Sequence, residues 1–578
     1  MKQFLLTIYL LVLVAIAFGQ CPPGGNLIFD TQEEIDDFIL DYPNCTMLFN
    51  DNVIISNSAD ITSLDGLRNI VHIGGNLFIR DNESLANLEG LGNLESVGGL
   101  LFINDNLSLI HINGLDSLES VGEKVEIADN PALVSLSGMN NLVSAGLGVE
   151  IFNNSSLQNL SGLNSLSQVS TAGFAGVFLE IRDNPSLENI AGLNNLVHLD
   201  ANLSIDNNES LTSLEGIAHL IHIDGGLNLS SNSSLTDISA LDSLVTIGDL
   251  AIISNCDALA TIEGFHQLTS IGGSLTISQN DQLELIDGFS SLDTVQSFLN
   301  IVANNSLTDL EGFNSLSYVW SLRVDNNETL ERIAGFNNLT YSRTSISILR
   351  NNALEVIDAF PSLAAVGINF VIEDNPVLTE IGAFTNFSLI ERALVLRRNP
   401  LIEDLSCFSN LSNIGQSLFL LNTLLSDLDD FESLDSVGNE IFIQENPNLS
   451  SCSIEVVCNG LMAGSVVITD NAPGCDTEEE VLQACFPTSS NEVEKTTDFT
   501  VYPNPTSGQM SVFVDETLID RSLEWALYDT SGRLLAKLDL TADNTLDISA
   551  FSGGLYTLVV KEERTGQVLA TERVLLTR

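Results

Sequence analysis

The chain has 578 residues, 44% of them apolar, and its 20 Lys and Arg residues stand against 77 Asp and Glu residues, for a formal net charge of −57. The apolar content excludes a disordered acidic tail, and the shortage of basic residues excludes a nucleic-acid-binding surface and docking on anionic lipid. The composition predicts a highly soluble acidic surface on a chain long enough for several domains or one long array.

Residues 1–19 have the features of a secretory signal peptide. Lys2 supplies the positive start, and residues 4–18 form an apolar run that is shorter than the roughly 20 residues of a membrane span. Ala17-Phe18-Gly19 offers small residues to a signal peptidase. We therefore expect export, a mature chain that begins at Gln20, and no membrane insertion after the signal is removed.

Residues 20–45 are predicted to form an N-terminal cap. The stretch TQEEIDDFILDYP predicts a short helix, and Cys21 and Cys45 flank it. Export permits disulfide bonds, and a Cys21–Cys45 bond would close a loop worth about 3 kcal/mol in the loop-entropy model.

From residue 46 onward the sequence repeats a pattern of about 24 residues. Residues 77–99 read LFIRDNESLANLEGLGNLESVGG, and residues 101–122 read LFINDNLSLIHINGLDSLESVG. One position of the pattern is Asn in sixteen copies and Cys in one, and a single wide gap holds an insertion around residues 170–176. Such a period predicts a solenoid. The marker positions are Asn82, Asn106, Asn130, Asn154, Asn184, Asn208, Asn232, Cys256, Asn280, Asn304, Asn327, Asn351, Asn375, Asn399, Asn422, Asn446 and Asn471.

The spacing of the apolar residues predicts short strands and tight turns. Leu77 and Ile79 alternate with polar or exposed positions, as in a strand, and the leucines that follow recur every third residue. Stacked coils would bury these residues against one another, so that stability comes from neighbouring coils. An Asn side chain both donates and accepts hydrogen bonds, so a stacked Asn ladder is predicted to satisfy the buried turn groups.

The pattern L-x-I-x-D-N-x-x-L-x-x-L-x-G-L-x-x-L-x-x-V-G-G resembles the receptor L-domain branch of leucine-rich repeats, which use Asn or Cys at the marker position. The resemblance covers residues 46 to about 475. It implies a mainly β protein, with a right-handed parallel β-solenoid of about 17 coils that has a binding or structural role. Cys256 on the ladder and Cys407, at a position that is Gly in other coils, are then buried structural thiols.

Four cysteines lie at the end of the solenoid, whose predicted extent is residues 46–486. The stretch DTEEEVLQAC predicts a capping helix with acidic residues in its first turn. Four cysteines allow three pairings, and their separation along the chain favours Cys452–Cys458 and Cys475–Cys485. A zinc site is the rival interpretation, although the spacing lacks CxxC pairs.

After a polar linker at 487–497, residues 498–578 alternate short strands with Gly and Pro turns, which predicts a small β-sandwich. Three motifs in this segment resemble the C-terminal sorting domain of the bacterial type IX secretion system. The resemblance implies the secretion machinery as a partner and localisation at the outer-membrane surface or outside the cell. The motif residues are Tyr502, Pro503, Asn504, Pro505, Gly532, Arg533, Gly554 and Tyr556.

The outward strand positions carry the candidate binding residues. Phe78, Phe102, Glu126, Glu150 and Glu180 are predicted to form one row across five coils. Two exposed phenylalanines form a sticky patch, and three adjacent glutamates should repel one another. We also expect a second acidic row beside the ladder. The glutamates have two possible roles: a solvated acidic face, or a site for a cation such as Ca²⁺ or a basic partner. The second row consists of Asp81, Asp105, Asp129 and Asp183.

The sequence contains no P-loop and no H-E-x-x-H, G-x-S-x-G or G-x-G-x-x-G motif, so we expect neither catalysis nor a cofactor. The predicted function is recognition or adhesion, with an extracellular protein or glycan as the ligand. The first alternative is a structural scaffold of the cell envelope without a specific ligand. The second is an enzyme that degrades acidic polysaccharides, which the sparse Lys and Arg residues argue against.

Overall fold

The computed structural model describes residues 21–169, 178–382, 384–486, 499–514, 523–530, 533–539, 544–562 and 568–577. The predicted signal peptide, the insertion around 170–176, the linker and Gly532 lie outside the described residues. The chain divides into two compact units, residues 1–411 and 412–578, and each is considered by itself.

The repeats form a parallel β-solenoid of about 18 turns. Each coil contributes one strand to a parallel sheet, which we call the main sheet. In the first unit these strands are Leu27–Phe29, Val53–Ser58, Leu77–Asn82, Leu101–Asn104, Val125–Ala128, Val149–Phe152, Phe178–Arg182, Asn202–Asp206, Leu227–Ser230, Ala251–Ser254, Leu275–Ser278, Thr294–Val302, Tyr318–Asp325, Ile346–Leu349, Asn369–Glu373 and Ala393–Arg397. In the second unit they are Ser417–Leu421, Ile441–Gln444 and Val466–Thr469.

Shorter elements complete each coil. A two-residue strand precedes most main-sheet strands: Met47–Leu48, His72–Ile73, Ser96–Val97, Ser120–Val121, Ser144–Ala145, Gln168–Val169, His198–Leu199, His222–Ile223, Thr246–Ile247, Ser270–Ile271, Tyr341–Ser342, Ala365–Val366, Leu389–Ile390, Asn413–Ile414 and Ser436–Val437. The remaining side of each coil, which we call the third side, carries 3₁₀ turns in several coils. These turns are Asp65–Leu67, Glu89–Leu91, Glu215–Ile217, Ser239–Ser243, Ser406–Phe408 and Asp429–Phe431. Between residues 261 and 381 the third side carries a second parallel sheet of Thr261–Ile262, Leu285–Ile286, Asp309–Leu310, Arg332–Ala334, Val356–Asp358 and Glu380–Ile381.

Aliphatic and aromatic side chains fill the interior as continuous columns. Leu77 and Ile79 are fully buried, and the leucines spaced by three behave in the same way. Each such side chain contributes about 1.5–3 kcal/mol of gross burial energy, which only the neighbouring coils can supply. From residue 265 the third-side Leu becomes Phe, and five rings form a column with neighbouring centroids 5.1–5.5 Å apart. That column is Phe265, Phe289, Phe313, Phe336 and Phe360.

The Asn side chains form a buried ladder along the solenoid. Asn106 is typical: its amide nitrogen donates to the Ile79 carbonyl at 2.9 Å and to Asn130 Oδ1 at 3.2 Å, and its backbone N–H donates to the same oxygen at 3.1 Å. The assignment of Asn422 is wrong, because Thr423, 24 residues after Asn399, holds the ladder position and bonds Asn446 Oδ1 through its N–H and hydroxyl groups.

The residue before each ladder position adopts a left-handed backbone. Asp81, Asp105 and Asp129 have φ values of 58°, 56° and 53°, and Asn422 has 55°. Asp and Asn tolerate this region better than other residues with a side chain. The predicted second acidic row therefore has a conformational cause: the turn favours short polar residues, which most coils place at this corner.

Helices cap the two ends of the repeats. Helix α1, Gln32–Asp41, begins with a capping box between Thr31 and Glu34, and a disulfide joins Cys21 to Cys45. Near the other end, α2 spans Glu455–Ala463 and α3 spans Glu478–Cys485.

The predicted C-terminal disulfide pairing is wrong. The bonds are Cys452–Cys475 and Cys458–Cys485, with separations of 23 and 27 residues. In a solenoid, residues about one coil apart lie side by side, so the spatial partner of a cysteine is not its nearest neighbour in sequence. The second bond also joins two packed helices, α2 and α3.

The C-terminal segment forms two antiparallel sheets. One contains Phe499–Tyr502, Gln509–Val514 and Thr545–Asp547, and the other contains Leu523–Tyr528, Leu534–Leu538, Gly554–Glu562 and Val568–Leu576. Side chains from both sheets share one core, with Met510 and Val512 from the first sheet and Trp525 and Leu558 from the second. The segment is thus a small β-sandwich with its own interior.

Candidate functional site

The outward side chains of the main sheet form one continuous column in the first unit. Phe78 pairs in register with Phe102, which in turn pairs with Glu126, and Glu126, Glu150 and Glu180 follow on successive coils. The Phe78 and Phe102 rings lie 5.9 Å apart, and both side chains are half-buried and not exposed as predicted. The five predicted binding residues therefore lie side by side across five neighbouring coils.

Two basic side chains offset the charge of the glutamates. Lys124 Nζ lies 2.5 Å from Glu126 Oε2 and 2.9 Å from Glu150 Oε2, and Arg182 Nε lies 3.4 Å from Glu180 Oε1. Burial lowers the pKa of Lys124, but its hydrogen bonds with the two carboxylates outweigh that effect and raise the pKa. The expectation of an unrelieved repulsive row is thus wrong. The sequence contains one indication of this pairing, because Lys124 is the single Lys within residues 46–486.

The acidic row beside the ladder is partly paired as well. The Asn153 and Asn207 amides donate to Asp129 at 3.0 Å and to Asp183 at 2.7 Å. Asp105 differs, since partial burial raises its pKa, with further contributions from the charges of Asp129 and Asp81. These contacts describe a mostly solvated face on which the pKa of one carboxyl group, that of Asp105, is raised.

Beyond Glu180 the chemistry of the outward column changes along the solenoid. Neutral hydrogen-bonding residues predominate first, with Asn228 donating to Ser204 Oγ at 3.2 Å and Asn300 donating to Thr276 Oγ1 at 3.3 Å. An exposed Arg323 follows, and the column then becomes apolar. In register order the residues after Glu180 are Ser204, Asn228, Ile252, Thr276, Asn300, Arg323, Ser347, Val371 and Val395.

An arginine cluster includes Arg323 of the column and continues beside the column, over four successive coils. Arg323 and Arg350 both bond Asp325, whose side chain is only 2% exposed. Arg398 bonds Glu373 at 2.5 Å and also contacts Asp374. The hydrogen bond from Arg398 is the main reason that the pKa of Asp374 lies below its ordinary value. Sequence reasoning missed this cluster because only Arg350 and Arg398 share a position in the repeat, whereas Arg323 and Arg397 occupy two others.

An aromatic corner lies next to the arginines. Most coils turn into the main-sheet strand through Gly, but Thr294–Val302 and Tyr318–Asp325 run through this corner as continuous strands, with a bulge between them. Phe298 and Trp320 are exposed there, by 47% and 37%. The guanidinium of Arg343 lies 4.9 Å from the centroid of the Trp320 ring.

Two other polar features occur in the first unit. A cavity of about 240 Å³ contains Arg332, which forms ion pairs with Glu311 at 2.9 Å and Asp358 at 2.8 Å. Separately, His198 Nε2 lies 2.8 Å from Asp224 and 3.2 Å from Asp200. Their donor atoms all lie within 4.8 Å of one another, so these three exposed groups could hold a metal ion, although ion pairing alone accounts for the contacts.

The sorting motif residues have mainly structural contacts in the C-terminal sandwich. Asn504 lies between the two cis peptide bonds that precede Pro503 and Pro505; it donates to the Arg573 carbonyl at 2.6 Å and accepts from the Leu575 N–H at 2.9 Å. Tyr502 is largely exposed. The other described motif residues are Arg533, 3.1 Å from Asp529; Gly554, which begins a strand with φ of 156°; and Tyr556 of the same strand, whose hydroxyl donates to the Ser552 carbonyl.

Comparisons with known families agree with this architecture. Residues 500–571 match the secretion system C-terminal sorting domain, and residues 145–284 match six copies of the BspA type leucine rich repeat region. No curated protein matches the sequence significantly. Among the residues that the structure describes, no helix has the length and apolarity to span a membrane. The chain is a leucine-rich-repeat solenoid with a type IX secretion sorting domain, which directs it to the cell surface or the extracellular space.

Proposed function

We propose that the exported solenoid is a non-catalytic recognition or adhesion protein that binds an extracellular protein or glycan through the outward column of its main sheet. The observation that carries the proposal is the changing chemistry of that column. The inward positions of every coil repeat the same few residues, whereas the outward ones change from apolar to acidic, neutral polar and basic. A scaffold needs no such variation, while a binding surface depends on it.

The domain boundaries fit a secreted binding protein. We propose that residues 1–19 are removed on export, that residues 20–45 cap the solenoid of residues 46–486, and that the linker 487–497 joins it to the sorting segment 498–578. The secretion machinery would engage that last segment. The absence of catalysis is part of the same proposal, because leucine-rich-repeat solenoids are typically interaction modules.

The Phe78–Phe102 pair and the neighbouring glutamates are proposed as one binding region. The rings offer an apolar contact, and Glu126, Glu150 and Glu180 keep a fixed arrangement through Lys124 and Arg182. Apolar contact beside ordered charges gives both affinity and selection among partners.

Arrays of extracellular proteins and glycans, probed with the purified protein, test this proposal. We expect capture of a defined ligand, with capture lost in the double variant F78S/F102S. The matched control is L285S, since Leu285 is an exposed apolar residue on the second parallel sheet. Capture of no ligand would favour the envelope scaffold, equal loss in the control would refute the role of the main sheet, and turnover of an acidic glycan would support the enzyme alternative.

A further inference from the structure

We propose that the coils between residues 294 and 398 bind a mainly neutral glycan that carries carboxylate groups. The arginine cluster would hold the carboxylates, and the aromatic corner and the neutral part of the outward column would hold the sugar rings. This inference rests on the proposed recognition function and names the ligand class for one part of the same sheet.

The basic residues of the solenoid are unevenly distributed. Residues 46–486 contain 11 Lys and Arg residues, and seven of them lie within residues 323–398. The preceding stretch, residues 183–322, contains 18 Asp and Glu residues and no Lys or Arg. Residues 323–398 also contain nine Asp and Glu residues, so seven positive and nine negative charges leave this stretch at −2, against −18 for the preceding one. The arginines therefore make these coils much less repulsive to anions than the coils before them.

The arginine contacts leave donors for a ligand. Arg323 and Arg350 each use Nε and Nη2 to bond Asp325, so this contact does not engage their Nη1 groups. Four guanidinium groups, those of Arg323, Arg350, Arg397 and Arg398, face three carboxylates, those of Asp325, Glu373 and Asp374. The cluster thus keeps an excess of one positive charge, and a planar guanidinium binds a carboxylate in two-point fashion.

The backbone supports the same conclusion. Arg350 and Arg398 have φ values of 51° and 53°, at the corner where most other coils place Asp, Asn or Ser and three place Gln279, Ala303 and Glu445. Arg has no local conformational advantage there, and residues held in the left-handed region carry a cost that the surroundings must offset. Backbone preference therefore does not explain these two arginines, whose side chains pair with Asp325, Glu373 and Asp374.

The neighbouring groups suit sugar rings. Exposed Phe298 and Trp320 present aromatic surface to the apolar faces of sugars, and the amide of Asn300 and the hydroxyl of Ser347 lie in the column on either side of Arg323 to bond sugar hydroxyls. A dense polyanion such as a nucleic acid fits poorly, because the 18 carboxylates of the preceding coils would repel its closely spaced phosphates. A glycan with widely spaced carboxylates avoids that repulsion.

The test measures calorimetric binding of the whole protein to partially methyl-esterified polygalacturonate, with unesterified polygalacturonate, neutral dextran and a single-stranded oligonucleotide as comparison probes. We expect the partially esterified polymer to bind best. R350Q/R398Q should weaken binding at least about tenfold, whereas the control R68Q/R80Q, with the same change in charge on distant coils, should not. W320A should also weaken binding, which keeps the test valid if the arginine variant folds poorly.

Three results would overturn the inference: equal binding by the two double arginine variants, tightest binding to the oligonucleotide or the unesterified polymer, or no binding to any probe. None of these results bears on the Phe78–Phe102 region. Capture of another ligand that F78S/F102S abolishes would leave the proposed function intact while this ligand class fails.

Discussion

Replacing Asn280 by Ala tests the energetic role of the ladder most directly. The Asn280 amide donates to the Ile253 carbonyl at 3.0 Å and to Asn304 Oδ1 at 3.1 Å, and its Oδ1 accepts from the Cys256 N–H at 3.0 Å. All of these atoms belong to residues that are fully buried. An alanine can form none of these hydrogen bonds, and no bulk water replaces them.

The magnitude follows from the groups that lose a partner. The Cys256 N–H and the Ile253 carbonyl each lose the bond to Asn280, while Asn304 Oδ1 keeps its bond from the Asn280 backbone N–H at 3.2 Å. A buried polar group without a partner costs about 1–3 kcal/mol. The Cys256 N–H becomes such a group, whereas the Ile253 carbonyl still lies in the parallel ladder with Leu275–Ser278, so the predicted loss in the free energy of unfolding is about 1–3 kcal/mol. The ladder is uniform, so any interior Asn should give a similar value.

The chain contains a natural control for this change. Cys256 holds the same position one coil away, with Sγ 3.6 Å from the carbonyls of Leu229 and Ser254, and burial is the main reason that its pKa rises to about 11. Asn280→Cys should therefore cost less than Asn280→Ala. The reverse change, Cys256→Asn, should leave stability unchanged or increased, because it restores an amide that can bond Asn280 Oδ1.

Urea denaturation with amide hydrogen exchange of residues 251–304 measures these effects. The exchange data localise the loss, which matters because long repeat arrays need not unfold in one step. Unchanged protection in Asn280→Ala, or an equal loss in Cys256→Asn, would refute the hydrogen-bond argument for the ladder.

Three further predictions concern charge and export. Lys124→Gln should lower stability by about 1–2 kcal/mol, with the loss shrinking at high salt, because the half-buried Lys124 ion pairs are replaced by glutamate repulsion; a salt-independent loss in thermal melts would contradict this. The pKa of Asp374 is lowered in the folded state, so its contribution to the free energy of unfolding is present above its unfolded pKa of about 3.9 and is lost as the pH falls through the folded value. Asp374→Asn should therefore flatten the decline of the urea midpoint on acidification, and parallel curves for the two proteins would argue against this. Deletion of residues 498–578 should leave a folded solenoid in the periplasm, and surface labelling of the truncated protein would refute the sorting role.

The sequence period predicts the fold well because each inward residue is constrained by two neighbouring coils. Leu77, Ile79 and the ladder Asn occupy the expected places for that reason. The errors have two causes. Cys452 pairs with Cys475 because stacking brings residues one coil apart together, so proximity along the chain is a poor guide. Thr423 holds the ladder position in place of the expected Asn422 because a hydroxyl group can also bond the next Asn.

The candidate site is less predictable from the pattern, because the pattern describes what all coils share. At a regular corner, a Cβ on Gly272 would lie 2.1 Å from the Gly248 carbonyl oxygen, so stacking itself selects Gly. Where the chain runs through that corner as a continuous strand, at Thr294–Val302 and Tyr318–Asp325, the constraint is absent and large exposed side chains are accommodated. The positions that carry recognition are therefore expected where the repeat is broken, and a sequence read for its period overlooks those positions first.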